Sequence, residues 1–486
     1  MNVLLLKHEL TLIVLGLGVL LADLWLPAER KRGLGYLAAA GVGAILLCSF
    51  FADGVTETQY AFGRMYVLDG FALFFKRLFL VATIFVLLMA VEFSDRIAAG
   101  ISEYYSLILF AAAGMMFAAS ANDFALLFVA LELITVTFYV LVSFQRSRTA
   151  SLEAGVKYLI IGALSSAFMV FGIAFLYGTS GTFNFGDLSA TGVNLAENKL
   201  FLFGLFFLLV GLGFKLAAVP FQMWAPDVYE GAPTPTTAFL AIGSKAAGFV
   251  LLMRVLFSAV PEVAAQWSTL IVVIAAATIL YGNLCALPQT SIKRLLGYSS
   301  ISHAGYLLLG VAAMAVVKNS TEGGAAVLYY LTGYLFTVLA GFAVIVLVLR
   351  ETGVEDIRGL AGLHQRSPML AAAMTLAMVS LAGIPPLAGF FGKFLLIKSA
   401  LSAGATNPAF FWLVGVAVIG VVMSLYYYFG VVRAIYWGQG PEVTDAVPIS
   451  LPSKVAVIVC MVGILFVGIY PNPLIKAAEA AVAALR

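Results

Sequence analysis

Four lysines, one glutamate and one histidine of this 486-residue chain stand inside stretches that otherwise read as lipid-soluble helix. Glu132 lies in FALLFVALELITVTFYVLV, with Thr135 and Tyr139 at i+3 and i+7 on its own face. Lys215 lies in GLGFKLAAVPFQMW, after roughly 15 residues of apolar helix or about 22 Å of rise. Lys245 lies in FLAIGSKAAGFVLLM, about 9 residues or ~14 Å in from the opposite side. Lys393 follows a double proline in SLAGIPPLAGFFGKFLLIK, and Lys157 sits nearer a helix start in SLEAGVKYLIIGAL. A charge at the centre of a span costs about 2.5–3.5 kcal/mol to insert, so such a residue reads as functional by default. The chemistry open to these groups is proton transfer. A carboxylate beside an amine favours the charged amine and desolvation favours the neutral one, so a balance of the two lets a proton be held and released.

A second polar line runs through QTSIKRLLGYSSISHAGYLLLG, where Ser299, Ser302, His303 and Tyr306 recur at helical spacing. His303 is suited to relay protons because imidazole titrates near neutrality; a histidine satisfied within the core is the plainer reading. Glu132 has a plainer reading too, as a structural counter-ion. Lysines near helix ends snorkel, stem in lipid and ammonium among the headgroups. That reading fits Lys76, Arg77, Arg254, Lys398 and Arg433, and it competes evenly with function at Lys157. The central Lys215, Lys245 and Lys393 would need a reach of about 10 Å or more, beyond a lysine stem.

The elements that position these groups follow from composition. The chain is 63% hydrophobic and 10% charged, against about 25% charged residues in a soluble domain, which places it in a bilayer. A span needs about 20 apolar residues. On that rule the sequence predicts an all-α polytopic protein of about 14 helices, centred on 10–26, 33–51, 69–93, 105–121, 124–144, 152–177, 200–224, 236–260, 267–287, 295–316, 323–349, 368–399, 409–437 and 453–470. Basic residues gather in loops after odd-numbered spans: Arg30, Lys31 and Arg32, then Arg146 and Arg148, Lys293 and Arg294, and Arg350, Arg358 and Arg366. The other loops hold Asp53, Glu57, Asp187, Glu197 and Glu262, with scattered Arg64, Lys199 and Lys318. By the positive-inside rule both termini lie outside the cytoplasm.

Pro220 follows Lys215 by five positions, and Pro385 and Pro386 precede Lys393, so the seventh and twelfth spans are expected to break at mid-depth. A kink without a cavity is the alternative. Two Lys-and-Pro helices five spans apart cross in opposite senses, which suggests inverted five-helix repeats at spans 4–8 and 9–13. The expected organisation is one membrane domain: three N-terminal helices (1–100), a first repeat (101–260), a second inverted repeat (261–440) and a C-terminal helix (441–486).

The net charge of +3 is too small and too dispersed to suggest a nucleic-acid partner. Cys48, Cys285 and Cys460 lie far apart with no metal-ligand spacing. No P-loop, dinucleotide fingerprint, paired haem histidines or acidic metal site is found. A cofactor in this chain is therefore not expected, and the energy for moving ions must come from a gradient or a partner.

The stretches GFKLAAVPFQMWAPDVYEGAPTPTTAFLAIGSKAAGF, QTSIKRLLGYSSISHAGYLLLG and SLAGIPPLAGFFGKF resemble the antiporter-like subunits of respiratory complex I, the NADH:quinone oxidoreductase, along nearly the whole chain. PDVYEGAPTP and IKRLLGYSSISHAGY most resemble the subunit N branch of bacteria. The resemblance implies 14 spans, two inverted repeats and proton translocation within a translocase of the bacterial inner membrane. It implies that NADH, FMN, iron–sulfur clusters and quinone are handled by partner subunits, with subunit M and the small subunits K, J, A and H as neighbours. Residue by residue, Glu132 matches the fifth-helix glutamate, Lys215 the seventh-helix lysine paired with it, Lys157 the sixth-helix lysine and Lys245 the central eighth-helix lysine. His303 matches the polar link between the halves, and Lys393 the twelfth-helix exit residue. A stand-alone or hydrogenase-linked cation/proton antiporter is the alternative, since it would share the fold.

Overall fold

The computed structural model describes residues 2–51, 57–97, 100–191, 197–317, 320–438 and 446–485; Asp53 and Lys318 of the orientation reading lie outside the described residues. Helices α1 (Lys7–Asp23) and α2 (Arg32–Phe51) lead into a hairpin of β1 (Gln59–Ala61) and β2 (Tyr66–Leu68), paired antiparallel with Tyr60 opposite Val67. There follow α3 (Gly70–Glu92), α4 (Ile101–Ala119), α5 (Phe124–Val142), α6 (Thr149–Ser180), the short α7 (Phe185–Thr191), α8 (Lys199–Leu216), α9 (Trp224–Gly231), α10 (Thr234–Phe239) and α11 (Lys245–Arg254). The second half holds α12 (Pro261–Ala286), α13 (Ile292–Val316), α14 (Glu322–Thr352), the one-turn α15 (Leu363–Arg366), α16 (Pro368–Ala382), α17 (Ala388–Gly404), α18 (Ala409–Trp437), α19 (Leu451–Ile469) and α20 (Asn472–Ala483). Asp69, Asp123, Asn198, Ser291, Ser367 and Ser450 cap helix N-termini, each accepting a backbone N–H, so the starts were written in the sequence as short polar residues before apolar runs.

Among the described residues thirteen helices are long and apolar enough to cross a membrane. The fourteenth expected span, 368–399, is divided into α16 and α17, neither of them long enough alone. The seventh span is broken as well: α8 ends at Leu216, Ala217 takes a left-handed φ of 56°, and the helix resumes as α9 at Trp224. Between α10 and α11 the chain makes a π-helical turn, Leu240–Ser244, and a second one, Val255–Ala259, closes the same continuous span. This span is wholly enclosed, and α13 and α14 are nearly so, whereas α6, α12 and α18 expose broad apolar faces such as Val156, Ile160, Val273 and Trp412. Lys245 and His303 sit on these most enclosed helices, whereas Lys215 and Lys393 lie on α8 and α17, beside the two breaks.

Small residues let the helices approach closely, as is usual where lipid provides no hydrophobic drive. A Cβ on Gly282 of α12 would lie 2.4 Å from the Ser302 amide of α13, and one on Gly172 of α6 would lie 2.5 Å from the Leu208 amide of α8. Polar clamps tie the bundle at both ends. At the hairpin end Asp69 receives a two-pronged bond from Arg254 at 2.7 and 2.8 Å, and Lys76 pairs with Glu9 at 2.8 Å while donating to Tyr66 at 2.6 Å. At the other end Glu92 accepts from Arg350, Ser450 and Ser453, and Glu355 joins Arg148 and Lys293. The basic loops after spans 1, 5, 9 and 11 thus meet on one face.

These clamps correct the snorkelling reading of Lys76 and Arg254. Both are buried, because carboxylates from elsewhere in the chain, Glu9 and Asp69, meet them inside the protein. Arg77 is half-buried, donating to the Ser49 carbonyl at 2.5 Å, while Lys398, paired with Glu322 at 3.4 Å, and Arg433 are exposed.

Burial raises the Glu355 carboxyl, but the Arg148 bonds and the charge of Lys293 outweigh it and hold the group below its ordinary value of 4.5. A carboxyl depressed on folding contributes stability above its unfolded pKa that is lost as pH falls through the folded value. Glu355→Gln is therefore expected to lower thermal stability at neutral pH and to flatten its decline below pH about 4.5, read as unfolding temperature against pH in detergent. Arg254→Met leaves Asp69 buried and unpaired and is expected to cost about 3–5 kcal/mol, with Asp69→Asn/Arg254→Met recovering most of it, measured by thermal unfolding of the same preparations.

Candidate functional site

Five lysines are buried among the described residues: Lys76, Lys215, Lys245, Lys293 and Lys393. Their partners divide them. Lys76 and Lys293 have a carboxylate within 4.0 Å, Glu9 and Glu355. The other three are 2%, 3% and 4% exposed and donate to neutral oxygens.

Lys215 is the penultimate residue of α8, at the carbonyl end of the half-helix, where the helix dipole favours a cation. Its ammonium donates to Thr135 Oγ1 at 2.9 Å and to the Tyr158 hydroxyl at 3.4 Å. Glu132 lies one turn before Thr135 on α5 and accepts from Ser166 Oγ of α6. No ion pair within 4.0 Å joins Glu132 to Lys215; each is held by neutral partners, and the carboxylate's charge acts on the lysine across one turn of α5. Trp224, the first residue of α9, donates its indole N–H to the Phe214 carbonyl at 2.9 Å, a second bond to an acceptor that also takes the Ala217 N–H, and so ties α9 to α8 across the break.

Lys245 follows the π turn and donates to both the carbonyl and the hydroxyl of Ser300 on α13, whose hydroxyl also meets Tyr229 of α9 at 2.9 Å. Such turns recur at functional sites because they present a side chain and free backbone groups out of the ordinary helical register. Lys393 of α17 reaches back across the second break and donates to the Leu381 and Ala382 carbonyls at 2.7 and 3.2 Å. These are the last carbonyls of α16, left open where Gly383 takes a φ of 87°. The ammonium also lies 5.2 Å from the Tyr306 ring centroid.

His303 stands between Lys245 and Lys393 in chain order and is buried. Its Nδ1 meets the Tyr330 hydroxyl of α14 at 2.5 Å, and its Nε2 meets the Tyr428 hydroxyl of α18 at 2.9 Å. Tyr428 in turn meets Ser299 Oγ at 2.5 Å. The expected line along one face of α13 is thus divided. Ser302 donates to the Ser299 carbonyl at 2.7 Å and Tyr306 to the Ala417 carbonyl at 3.1 Å, so both hydroxyl protons are committed to backbone.

Lys157 stands apart from this interior. Its side chain is 43% exposed and pairs with Glu153 and Asp227, each at 2.7 Å. Asp227 also accepts from Arg294 at 2.8 Å, and Arg294 reaches Glu230 at 2.9 Å. This network fastens α9 to α6 and α13 at the face where the basic loops meet. The sequence reading did not single out Tyr158, Tyr229, Tyr330 or Tyr428. Their signal was present as hydroxyls inside apolar runs, YYLTGYLF and SLYYYFG among them, but tyrosine is also ordinary at membrane interfaces.

A family profile described as NADH:quinone oxidoreductase/Mrp antiporter, TM matches residues 121–424. Relatives described as NADH-quinone oxidoreductase subunit N from Moorella thermoacetica and Heliobacterium modesticaldum are each 41% identical to this chain; the first match covers 97% of both chains and the second 100% of both. A chain of respiratory complex I from Thermus thermophilus superposes with a TM-score of 0.80 at 34% identity, covering 97% of this chain and 99% of that one. A chain of the Mrp complex from Dietzia superposes at 0.85 with 23% identity over 99% and 97%, a likeness of fold. The breaks beside Lys215 and Lys393 both lie within the matched residues, and the chain belongs to the NADH:quinone oxidoreductase/Mrp antiporter transmembrane family.

Proposed function

We propose that this chain is a proton-translocating membrane subunit of a respiratory NADH:quinone oxidoreductase, in which electron transfer in partner subunits drives protons through the interior described above. The observation that carries this reading is the set of neutral acceptors around Lys215, Lys245 and Lys393. An ammonium bonded to hydroxyls and carbonyls gives up its proton without stranding a buried carboxylate, whereas the pairs of Lys76 and Lys293 are built to stay charged. Relatives 41% identical over the full length favour this reading over a stand-alone antiporter, to which the likeness is one of fold.

In this reading Glu132 is the lever. Its separation from Lys215 sets how firmly that lysine holds its proton, and a shift of α5 or α6 driven by redox chemistry elsewhere in the complex changes that separation. The proton then passes by way of Lys245 and the His303 cluster to Lys393. Moving one charge against 100 mV costs about 2.3 kcal/mol, which a change of about two pKa units supplies at ~1.36 kcal/mol each. Lys157 belongs to the surface network at the mouth of this route, where it receives protons and orients Asp227. The two broken helices support the assignment of inverted repeats at spans 4–8 and 9–13, flanked by the N-terminal helices and the C-terminal segment. Basic loops gathered on one face support a cytoplasmic assignment for it in a bacterial inner membrane, with both termini in the periplasm. NADH, FMN, iron–sulfur clusters and quinone are assigned to partner subunits, with the antiporter-like subunit M and the small subunits K, J, A and H as membrane neighbours of this chain.

Purification under mild detergent is expected to bring down an assembly whose absorbance carries flavin and iron–sulfur bands; a chain that purifies alone and exchanges cations for protons would establish the antiporter instead. In reconstituted complex, Lys215→Ala is expected to lower NADH-driven proton pumping about tenfold or more and Glu132→Gln by a smaller factor. Pumping at the wild-type rate by Lys215→Ala would end the scheme.

A further inference from the structure

The groups around His303 form an unbroken hydrogen-bonded chain: Ser299 Oγ, Tyr428 hydroxyl, imidazole Nε2, imidazole Nδ1 and Tyr330 hydroxyl, with links of 2.5, 2.9 and 2.5 Å. The residues come from three helices, α13, α18 and α14, and the side chains of all four are buried. Each end stands beside a residue that holds or precedes one of the central lysines. Ser299 is followed by Ser300, whose two oxygens hold Lys245. Tyr330 lies against the backbone of Gly392, the residue before Lys393: a Cβ there would come within 2.2 Å of the Tyr330 ring. The other hydroxyls on this face of α13, Ser302 and Tyr306, are tied to carbonyls and leave the chain its own path.

We propose that Tyr428 and Tyr330 are the proton-relay partners of His303, and that this chain of two phenols, one imidazole and one serine carries the proton between Lys245 and Lys393. Neutral imidazole presents one donor and one acceptor nitrogen, so with both nitrogens bonded to hydroxyls it serves as a two-ended link. In one passage toward Lys393, Ser299 gives its proton to Tyr428 and regains one from the Lys245 side; Tyr428 gives its proton to Nε2, Nδ1 gives its proton to Tyr330, and Tyr330 releases its own toward Lys393. At every member one N–H or O–H bond forms as another breaks, no net charge is left behind, and His303 ends as the other tautomer. Rotation of the ring and hydroxyls restores the starting polarity. Passage in the opposite sense reverses each transfer.

The inference rests on the proton-carrying role proposed above, and the test separates the two. Tyr428→Phe and Tyr330→Phe keep the rings and remove the hydroxyls. In reconstituted complex each is expected to lower NADH-driven proton pumping about tenfold, with assembly and unfolding temperature unchanged. Each is also expected to shift the nitrogen NMR resonance of the His303 atom that loses its partner, Nε2 for Tyr428→Phe and Nδ1 for Tyr330→Phe. Where a phenylalanine variant fails to assemble, fluorotyrosine at the same position keeps ring and hydroxyl and alters only phenol acidity; a changed pumping rate supports the relay and an unchanged one overturns it. Wild-type pumping in both phenylalanine variants, with Lys215→Ala impaired, overturns the relay and leaves the function standing. Wild-type pumping in Lys215→Ala as well removes the function itself, and the relay with it.

Discussion

An ammonium group taken out of water must find acceptors, and the nature of those acceptors decides what the group can do afterwards. Next to a carboxylate it is half of a pair that loses most of its stabilisation when either member is neutralised. Next to hydroxyls and carbonyls it is solvated in either protonation state, since a neutral amine still has donors to offer and the acceptors carry no charge of their own. Lys76 and Lys293 belong to the first kind, and Lys215, Lys245 and Lys393 to the second. The rest of the architecture serves that distinction by delivering neutral oxygens to three points in the interior.

Interrupted helices are one means, beside hydroxyls brought by neighbouring helices to Lys215 and Lys245. An α-helix consumes its own carbonyls, so a lysine inside a regular bundle has few backbone acceptors. Ending α16 at Ala382 frees the carbonyls that receive Lys393, and ending α8 at Leu216 places Lys215 at a carbonyl terminus. The π turn before Lys245 is a milder interruption of the same kind. Such irregular backbone is tolerated at membrane depth only where protein encloses it, and the π turn before Lys245 lies on the most fully surrounded span of all.

The permanent charges have a different task. Asp69 with Arg254, Glu9 with Lys76, and Glu92 with Arg350 join residues far apart in the chain at the two ends of the bundle. Arg254 ends the helix that Lys245 begins, so the Asp69 clamp also fixes where that helix sits relative to α3 and to the Ala119 carbonyl of α4. Under the proposed mechanism, in which small changes of separation move protons, the remaining charges must be held still, and these ion pairs, the two-pronged Arg254–Asp69 pair above all, do that.

Much of this was legible in the amino-acid order. Span count, broken helices and the central Lys215, Lys245, Lys393 and His303 follow from local quantities: apolar length, the missing N–H of proline, and the cost of a charge in lipid. The carboxylate partners of Lys76 and Arg254 lie 67 and 185 residues away along the chain, so a rule based on distance from a helix end assigned both to the headgroups. The tyrosines around His303 escaped for a related reason: a hydroxyl in an apolar helix looks the same whether it faces lipid headgroups, a carbonyl or an imidazole. Sequence alone determined that the central Lys215, Lys245 and Lys393 must be hidden from lipid, because that cost depends on residue type and depth. Only the packing of α13 against α14 and α18 decided which of them touch, because a hydrogen bond depends on distances of a few tenths of an ångström that no spacing along one helix specifies.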